Sequence, residues 1–159
     1  MSDERILDIY STGEYPANVL SNFYPNEFIL DGVACASMEG LLQSLKTKNV
    51  ALQRKICGLS GKEAKLAFRH KIQNLRWKLT GRLYWNGTVL RRHSDEYQQF
   101  LDRAYAALCT NGTFTEALMA SKGATLIHSI GNHNTRKTVL TEYELVTRLA
   151  RCRSSLTKE

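Results

Sequence analysis

Apolar residues recur at helical spacing through most of the chain and at strand spacing in a few short stretches. In SMEGLLQSLKTK, residues 37–48, Met38, Leu41, Leu42 and Leu45 fall at i, i+3, i+4 and i+7. That spacing predicts a helix with one face in a core. Ser37 stands where a cap belongs, and Glu39 sits near the positive end of the helix. In DEYQQFLDRAYAALC, behind the capping Ser94, residues Tyr97, Phe100, Leu101, Ala104 and Leu108 share a face. Thr141 with Glu144 forms a capping-box pattern for a last helix over EYELVTRLARCRSSL. Shorter helices are predicted over 49–58, stopped by Gly58, and over 60–71, opened by Ser60 with Glu63. Another is opened by Thr113 with Glu116 and ended by Gly123.

Strand-like alternation is confined to RILDIYS, EFILDGVACAS, RLYWNGTVLRR and ATLIHS. Asp31-Gly32 and Asn86-Gly87 each separate two such runs, a hairpin signal because both central positions of the favoured turn need positive φ. IGNHNTRKT reads as a polar loop. With no repeat and no Gly/Ser/Pro linker, the pattern predicts one α+β domain over 1–159, mostly helical, beside a small antiparallel sheet.

Composition adds four constraints. A hydrophobic share of 43% supports a core and argues against disorder. No apolar run is long enough to span a membrane, and MSDERILDIY lacks the form of a signal peptide, so a cytoplasmic protein is expected. Cys35, Cys57, Cys109 and Cys152 are far apart, without metal-ligand spacing; in a reduced cytosol they are expected to be packing or incidental thiols rather than a disulfide framework. The net charge of +7 favours anionic partners: phosphates, nucleotides or nucleic acid.

Four places carry candidate chemistry. Glu39, Gln43 and Lys46 lie at i, i+4 and i+7, an acid, an amide and an amine in line. By itself the stripe fits a solvated face or the wall of a polar site. Gly40 beside it costs a helix about 1 kcal/mol relative to Ala, which suggests a close approach by backbone or ligand. In LSNFYP, Asn22, Phe23 and Tyr24 pair an amide with two stacking faces, suited either to a base or to a loop anchored in the core. Arg82, Tyr84, Trp85 and Arg92 interleave cations with aromatics; the arginines are candidate diphosphate contacts, with a core-packed hairpin as the alternative. His128, with Ser129 and Asn132, follows an apolar run and could do acid/base work or be structural. G-x-S-x-G, Walker and G-x-G-x-x-G motifs are absent, and so is zinc spacing.

The order of these strings resembles the NADAR (YbiA-like) superfamily. Its opening signature is S-N-F, a hydrophobic hairpin with D-G, and an E-x-x-x-Q-x-x-K helix. Here these are Ser21-Asn22-Phe23, Asp31-Gly32, and Glu39, Gln43 and Lys46. LYWNG, RHSDEYQQFLDRAY, LIHSIG and TVLTEYEL extend the similarity over nearly the whole chain. Where many members have a histidine and an aromatic after the glutamate, this chain has Gly40 and Leu41, and SIGNHNTRKTV lacks their late Trp. The resemblance implies a mostly helical α+β fold and a hydrolase of N-glycosyl bonds of ribosyl compounds, working without metal or other cofactor. Implied substrates are ADP-ribose linked to guanine in nucleic acid, or an early riboflavin-pathway intermediate. The expected catalytic residues are Glu39 and Lys46, and the expected substrate contacts are Asn22, Phe23, Tyr24, Gln43, Arg82, Tyr84, Trp85, Arg92, His128, Ser129 and Asn132. A non-catalytic ADP-ribose-binding module and a basic nucleic-acid-binding protein are the alternatives.

Overall fold

The computed structural model describes residues 4–158. Strand β1 (Ile6–Asp8) and helix α1 (Ala17–Leu20) lead into the hairpin β2 (Phe28–Leu30) and β3 (Val33–Cys35). Four helices follow: α2 (Met38–Ser44), α3 (Val50–Cys57), α4 (Gly61–Lys65) and α5 (Ile72–Thr80). A second hairpin, β4 (Arg82–Trp85) and β5 (Thr88–Arg91), precedes α6 (Asp95–Leu108), α7 (Gly112–Ala120), β6 (Thr125–Ile127) and α8 (Glu142–Leu156). None of the described helices is long and apolar enough to cross a membrane.

Both hairpins form at the expected turns. Asp31 and Gly32 take φ of 49° and 78°, and Asn86 and Gly87 take 48° and 83°, the left-handed pair that closes a two-residue hairpin. The sheet is less unified than expected. β2–β3 and β4–β5 are separate antiparallel pairs, while β1 pairs with β6 in parallel, Leu7 opposite Leu126. A parallel pair between residues so distant in sequence leaves no local turn signal.

The periodic apolar residues of α2 and α6 meet in one core. Met38, Leu41, Leu42 and Leu45 are buried, as are Tyr97, Phe100, Leu101, Ala104 and Leu108. Ser37, Ser94 and Thr141 cap α2, α6 and α8, and Thr141 with Glu144 makes the full capping box. Two expected caps differ. Ser60 precedes α4 without a side-chain cap bond, and α7 is capped by Asn111, two residues before Thr113.

Helix α5 lacks the buried apolar stripe that makes α2 and α6 legible in the sequence. Its recurrent apolar residues Ile72, Leu75 and Leu79 are exposed, and Trp77 alone is buried. The cysteines also require a correction. Cys109, at the end of α6, is joined to Cys152 of α8 as a disulfide across 43 residues of sequence, while Cys35 and Cys57 are free and buried. α6 and α8 pack together, which brings the two residues side by side.

Candidate active site

Gly40 explains how α2 comes to be where it is. A Cβ there would lie 2.5 Å from the carbonyl oxygen of Leu59 and 2.9 Å from that of Ile56. The glycine therefore serves a close approach to backbone, that of the end of α3, and not to a ligand. The loop between α1 and β2 is tied to the same place. Glu39 N–H donates to the Asn22 carbonyl at 3.0 Å, Gly61 N–H donates to the Phe23 carbonyl at 3.1 Å, and the Tyr105 hydroxyl donates to Asn22 Oδ1 at 3.0 Å. Asn22 and Phe23 thus stand fixed beside Glu39.

A recess of about 500 Å³ opens there. Asn22, Phe23, Glu39, Gln43, His128 and Asn132 line it together, so residues from three separated stretches of sequence meet. Gln43 Nε2 donates to Glu39 Oε1 at 3.0 Å, and its own buried Oε1 has no partner among the described residues. An orphaned buried acceptor is costly unless a ligand supplies a donor. Burial holds the Glu39 carboxyl above the usual carboxylate range, against the opposing effects of the Gln43 amide and of Lys46, Lys65 and His128. His128 Nδ1 lies 2.6 Å from the Ile9 carbonyl, which only accepts, so Nδ1 carries a proton.

Lys46 departs from the expected straight stripe. α2 ends at Ser44, and Lys46 follows in a tighter turn in which its N–H donates to the Gln43 carbonyl at 3.1 Å. Its amine enters a second recess, about 590 Å³, with Lys62, Arg69 and Asn74. Phe23 and Lys65 line both recesses and form the ridge between them. Lys46 Nζ donates to Asn74 Oδ1 at 2.9 Å and lies 6.0 Å from the centre of the Trp77 ring. Burial lowers its pKa to about 8, although the Glu39 charge acts to raise it. The acid and the amine thus have pKa values drawn toward each other from opposite sides, a pattern common where protons are moved.

The remaining candidates lie elsewhere. Arg92 is 1% exposed and does not reach either recess. Its guanidinium holds Glu144 through two hydrogen bonds, of 2.6 and 3.1 Å, donates from Nε to the Thr138 carbonyl at 3.0 Å, and stacks on Tyr97. Arg82 is exposed on β4. Trp85 is buried against Phe100, its Nε1 donating to Asp31 at 2.8 Å. Tyr84 N–H donates to the Leu45 carbonyl at 2.8 Å, bracing β4 on the end of α2. Tyr24 is half-buried against the core. Ser129 is exposed and bonded to Asp8, whose pKa those hydrogen bonds lower.

Sequence reasoning missed Ser11, Lys65, Lys137 and Thr138, which also line the Glu39 recess. Lys65 and Lys137 are its cations. Nothing in the local spacing sets them apart from other surface lysines, because they reach the recess only through the packing of α4 and of the 128–141 loop.

The comparisons with known proteins agree with this architecture. A model of the bacteriophage protein GP30.3 family matches residues 14–154. An uncharacterized 17.1 kDa protein from the Gp30-rIII intergenic region of Enterobacteria phage T4 is 40% identical over 152 residues, covering 94% of this chain and 98% of that protein. The NMR structure of the E. coli protein YbiA superposes with a TM-score of 0.61 at 18% identity, covering 98% of this chain and 87% of YbiA. The fold implied by the sequence resemblance is therefore the fold found. The chain belongs to the bacteriophage protein GP30.3 family and is built on a YbiA-like α+β fold.

Proposed function

We propose that this protein is an N-glycosidase that cleaves the bond between ribose and a base, with ADP-ribose linked to guanine as the substrate. The observation that carries the reading is the paired perturbation of Glu39 and Lys46, a desolvated acid and an amine lowered to about 8, on either side of the Phe23 ridge.

Breaking an N-glycosidic bond develops positive charge at the anomeric carbon and negative charge on the leaving base. The Glu39 carboxylate stabilises the first. With the ribose seated over the Phe23 ridge so that its anomeric carbon faces both recesses, the neutral Lys46 amine attacks that carbon as the carbon–base bond breaks; the ribose ring then opens, its oxygen taking the second amine proton, and a neutral imine to Lys46 remains. The first proton lost by Lys46 passes to Glu39, whose raised pKa suits it as an acceptor, and from there to the departing base. Water then hydrolyses the imine and frees the sugar and the amine. The orphaned Gln43 Oε1 accepts a ribose hydroxyl. Lys65 and Lys137, rather than Arg82 and Arg92, are the cations that suit a diphosphate in the Glu39 recess.

The test uses ADP-ribosylated guanine DNA with the wild type and Glu39→Gln, the products resolved by mass spectrometry. Release of ADP-ribose by the wild type alone is expected. If neither protein releases it, ribosyl intermediates of the riboflavin pathway are assayed next. Saturable ADP-ribose binding without product from any of these would replace the glycosidase with a binding module.

A further inference from the structure

The positive charge of this protein is concentrated. Between Gly61 and Arg82, seven lysines and arginines face a single carboxylate, Glu63: a surplus of six in a chain whose whole surplus is seven. All seven cations, from Lys62 to Arg82, are exposed. Among the described residues none of them takes part in an ion pair; the pairs found involve Arg92, Arg103, His133, Arg148 and Arg151. So concentrated an unpaired charge repels itself, which is a cost in the absence of an anionic partner.

The shape beneath this charge is a furrow. The Glu39 recess adjoins the Lys46 recess through Phe23 and Lys65. The Lys46 recess adjoins a third, about 510 Å³, through Asn74, and Lys71 and Lys78 flank this last one. The three follow one another from Glu39 across α4 and onto α5. Their lining includes the exposed aliphatic side chains Leu66, at the end of α4, and Ile72 and Leu75, on the outward face of α5. At the junction nearest Glu39 stands the Phe23 ring, half-buried, with Lys65 Nζ 5.6 Å from its centre.

We propose that the α4–α5 furrow binds the backbone of single-stranded nucleic acid, with Phe23 stacking an unpaired base at the mouth of the Glu39 recess. Cations continuing past one recess into the next suit a repeating anion better than a single phosphate. Aliphatic and aromatic surface between the cations suits unpaired bases, whose faces a duplex hides. The surface rests on charge placement and geometry, not on bond cleavage, and is independent of the glycosidase reading.

The test is fluorescence anisotropy of labelled, unmodified oligothymidylate with the full chain, over a salt series. Arg69→Glu/Lys71→Glu/Lys78→Glu removes three furrow cations outside the Glu39 recess. Arg5→Glu/Lys122→Glu/Lys158→Glu makes the same charge change at exposed positions elsewhere. The furrow variant is expected to bind at least about tenfold more weakly, and its log–log salt slope to shrink by about two, since each single-strand phosphate contact contributes about 0.7. The distant variant is expected to keep most of the affinity and the slope, and Glu39→Gln to bind as the wild type does. Circular dichroism checks that each variant is folded. Should the triple variant unfold, Lys71→Ala and Lys78→Ala singly are expected to lose about two- to threefold each. No binding by the wild type at low salt, equal loss in both triple variants, or equal affinity for a duplex would overturn the proposal. Displacement by polyglutamate as effective as by oligonucleotide would also overturn it and assign the furrow to an acidic protein.

Discussion

Two clusters of buried polar side chains flank the Glu39 recess, and they are built on opposite principles. In the Arg92–Glu144 cluster the hydrogen-bonding groups are well matched. Arg92 binds Glu144 and the Thr138 carbonyl, Gln98 donates to Glu144 at 2.7 Å, and Thr141 completes the capping box. Burial works to raise the Glu144 pKa, but the Arg92, Gln98 and Thr141 hydrogen bonds outweigh it and hold the carboxyl below its usual value. In the α2 cluster, Gln43 has an orphaned oxygen, and burial works against the charged forms of both Glu39 and Lys46. The first cluster stabilises the fold and anchors Thr138, a residue of the recess wall, to α8. The second carries a cost in stability that a structural role would not require. At Gln43 the incomplete polarity lies on a recess, where a ligand can complete it.

Substitution at the two clusters should separate these roles. Glu39→Gln keeps the size and polarity of the side chain but cannot carry charge or proton. Turnover of ADP-ribosylated guanine is expected to fall about 10²–10⁴-fold, measured as released ADP-ribose. Its melting temperature should be equal to or higher than that of the wild type. The sign follows from linkage: the folded pKa of Glu39 is raised, so its contribution to stability is lost as pH rises from about 4.5 through the folded value. Above the ordinary glutamate value the buried Glu39 carboxyl therefore costs stability, and Gln removes that cost. Arg92→Met should do the reverse to stability. It leaves Glu144 buried without its cation and is expected to cost about 3–5 kcal/mol in denaturant unfolding. Because the folded pKa of Glu144 is depressed, its contribution is present above the unfolded pKa and lost as pH falls through the folded one. Arg92→Met should therefore flatten the loss of stability on acidification.

Gly40→Ala tests the close helix approach. Its Cβ meets backbone oxygens that cannot rotate away, so overpacking by about 1–3 kcal/mol is expected, with α2 displaced and turnover reduced as well. The smallest predicted effect is on pH dependence. With Lys46 near 8, turnover under saturating substrate should rise about tenfold between pH 7 and 9 as the amine loses its proton, then level off. A fall above pH 8 would instead make Lys46 a cationic contact and remove its role as nucleophile. Stability should show the matching sign: the folded pKa of Lys46 is lowered, so its burial penalty is relieved as pH rises through about 8 toward the ordinary lysine value of 10.5.

The sequence by itself determined the local elements. Apolar spacing placed the faces of α2 and α6, Asp31-Gly32 and Asn86-Gly87 placed the hairpins, and the Thr141–Glu144 box opened α8. Each is governed by contacts within a few residues, so each is legible in a short window. The same reasoning brought Glu39 and Gln43 together, because i and i+4 are neighbours on any helix. What depended on distant packing was not legible. Arg92 looked like a ligand contact and is instead held by Glu144, 52 residues away. Lys46 looked like the end of a stripe, but α2 stops short of it and its amine meets Asn74, 28 residues on. Cys109 and Cys152 looked unrelated until α6 and α8 were packed together. The parallel pairing of β1 with β6, the outward apolar face of α5 and the entry of Lys65 and Lys137 into the recess have the same origin. A local pattern states what a side chain can do; only the tertiary structure, by excluding water and supplying partners, decides which of those capacities is used.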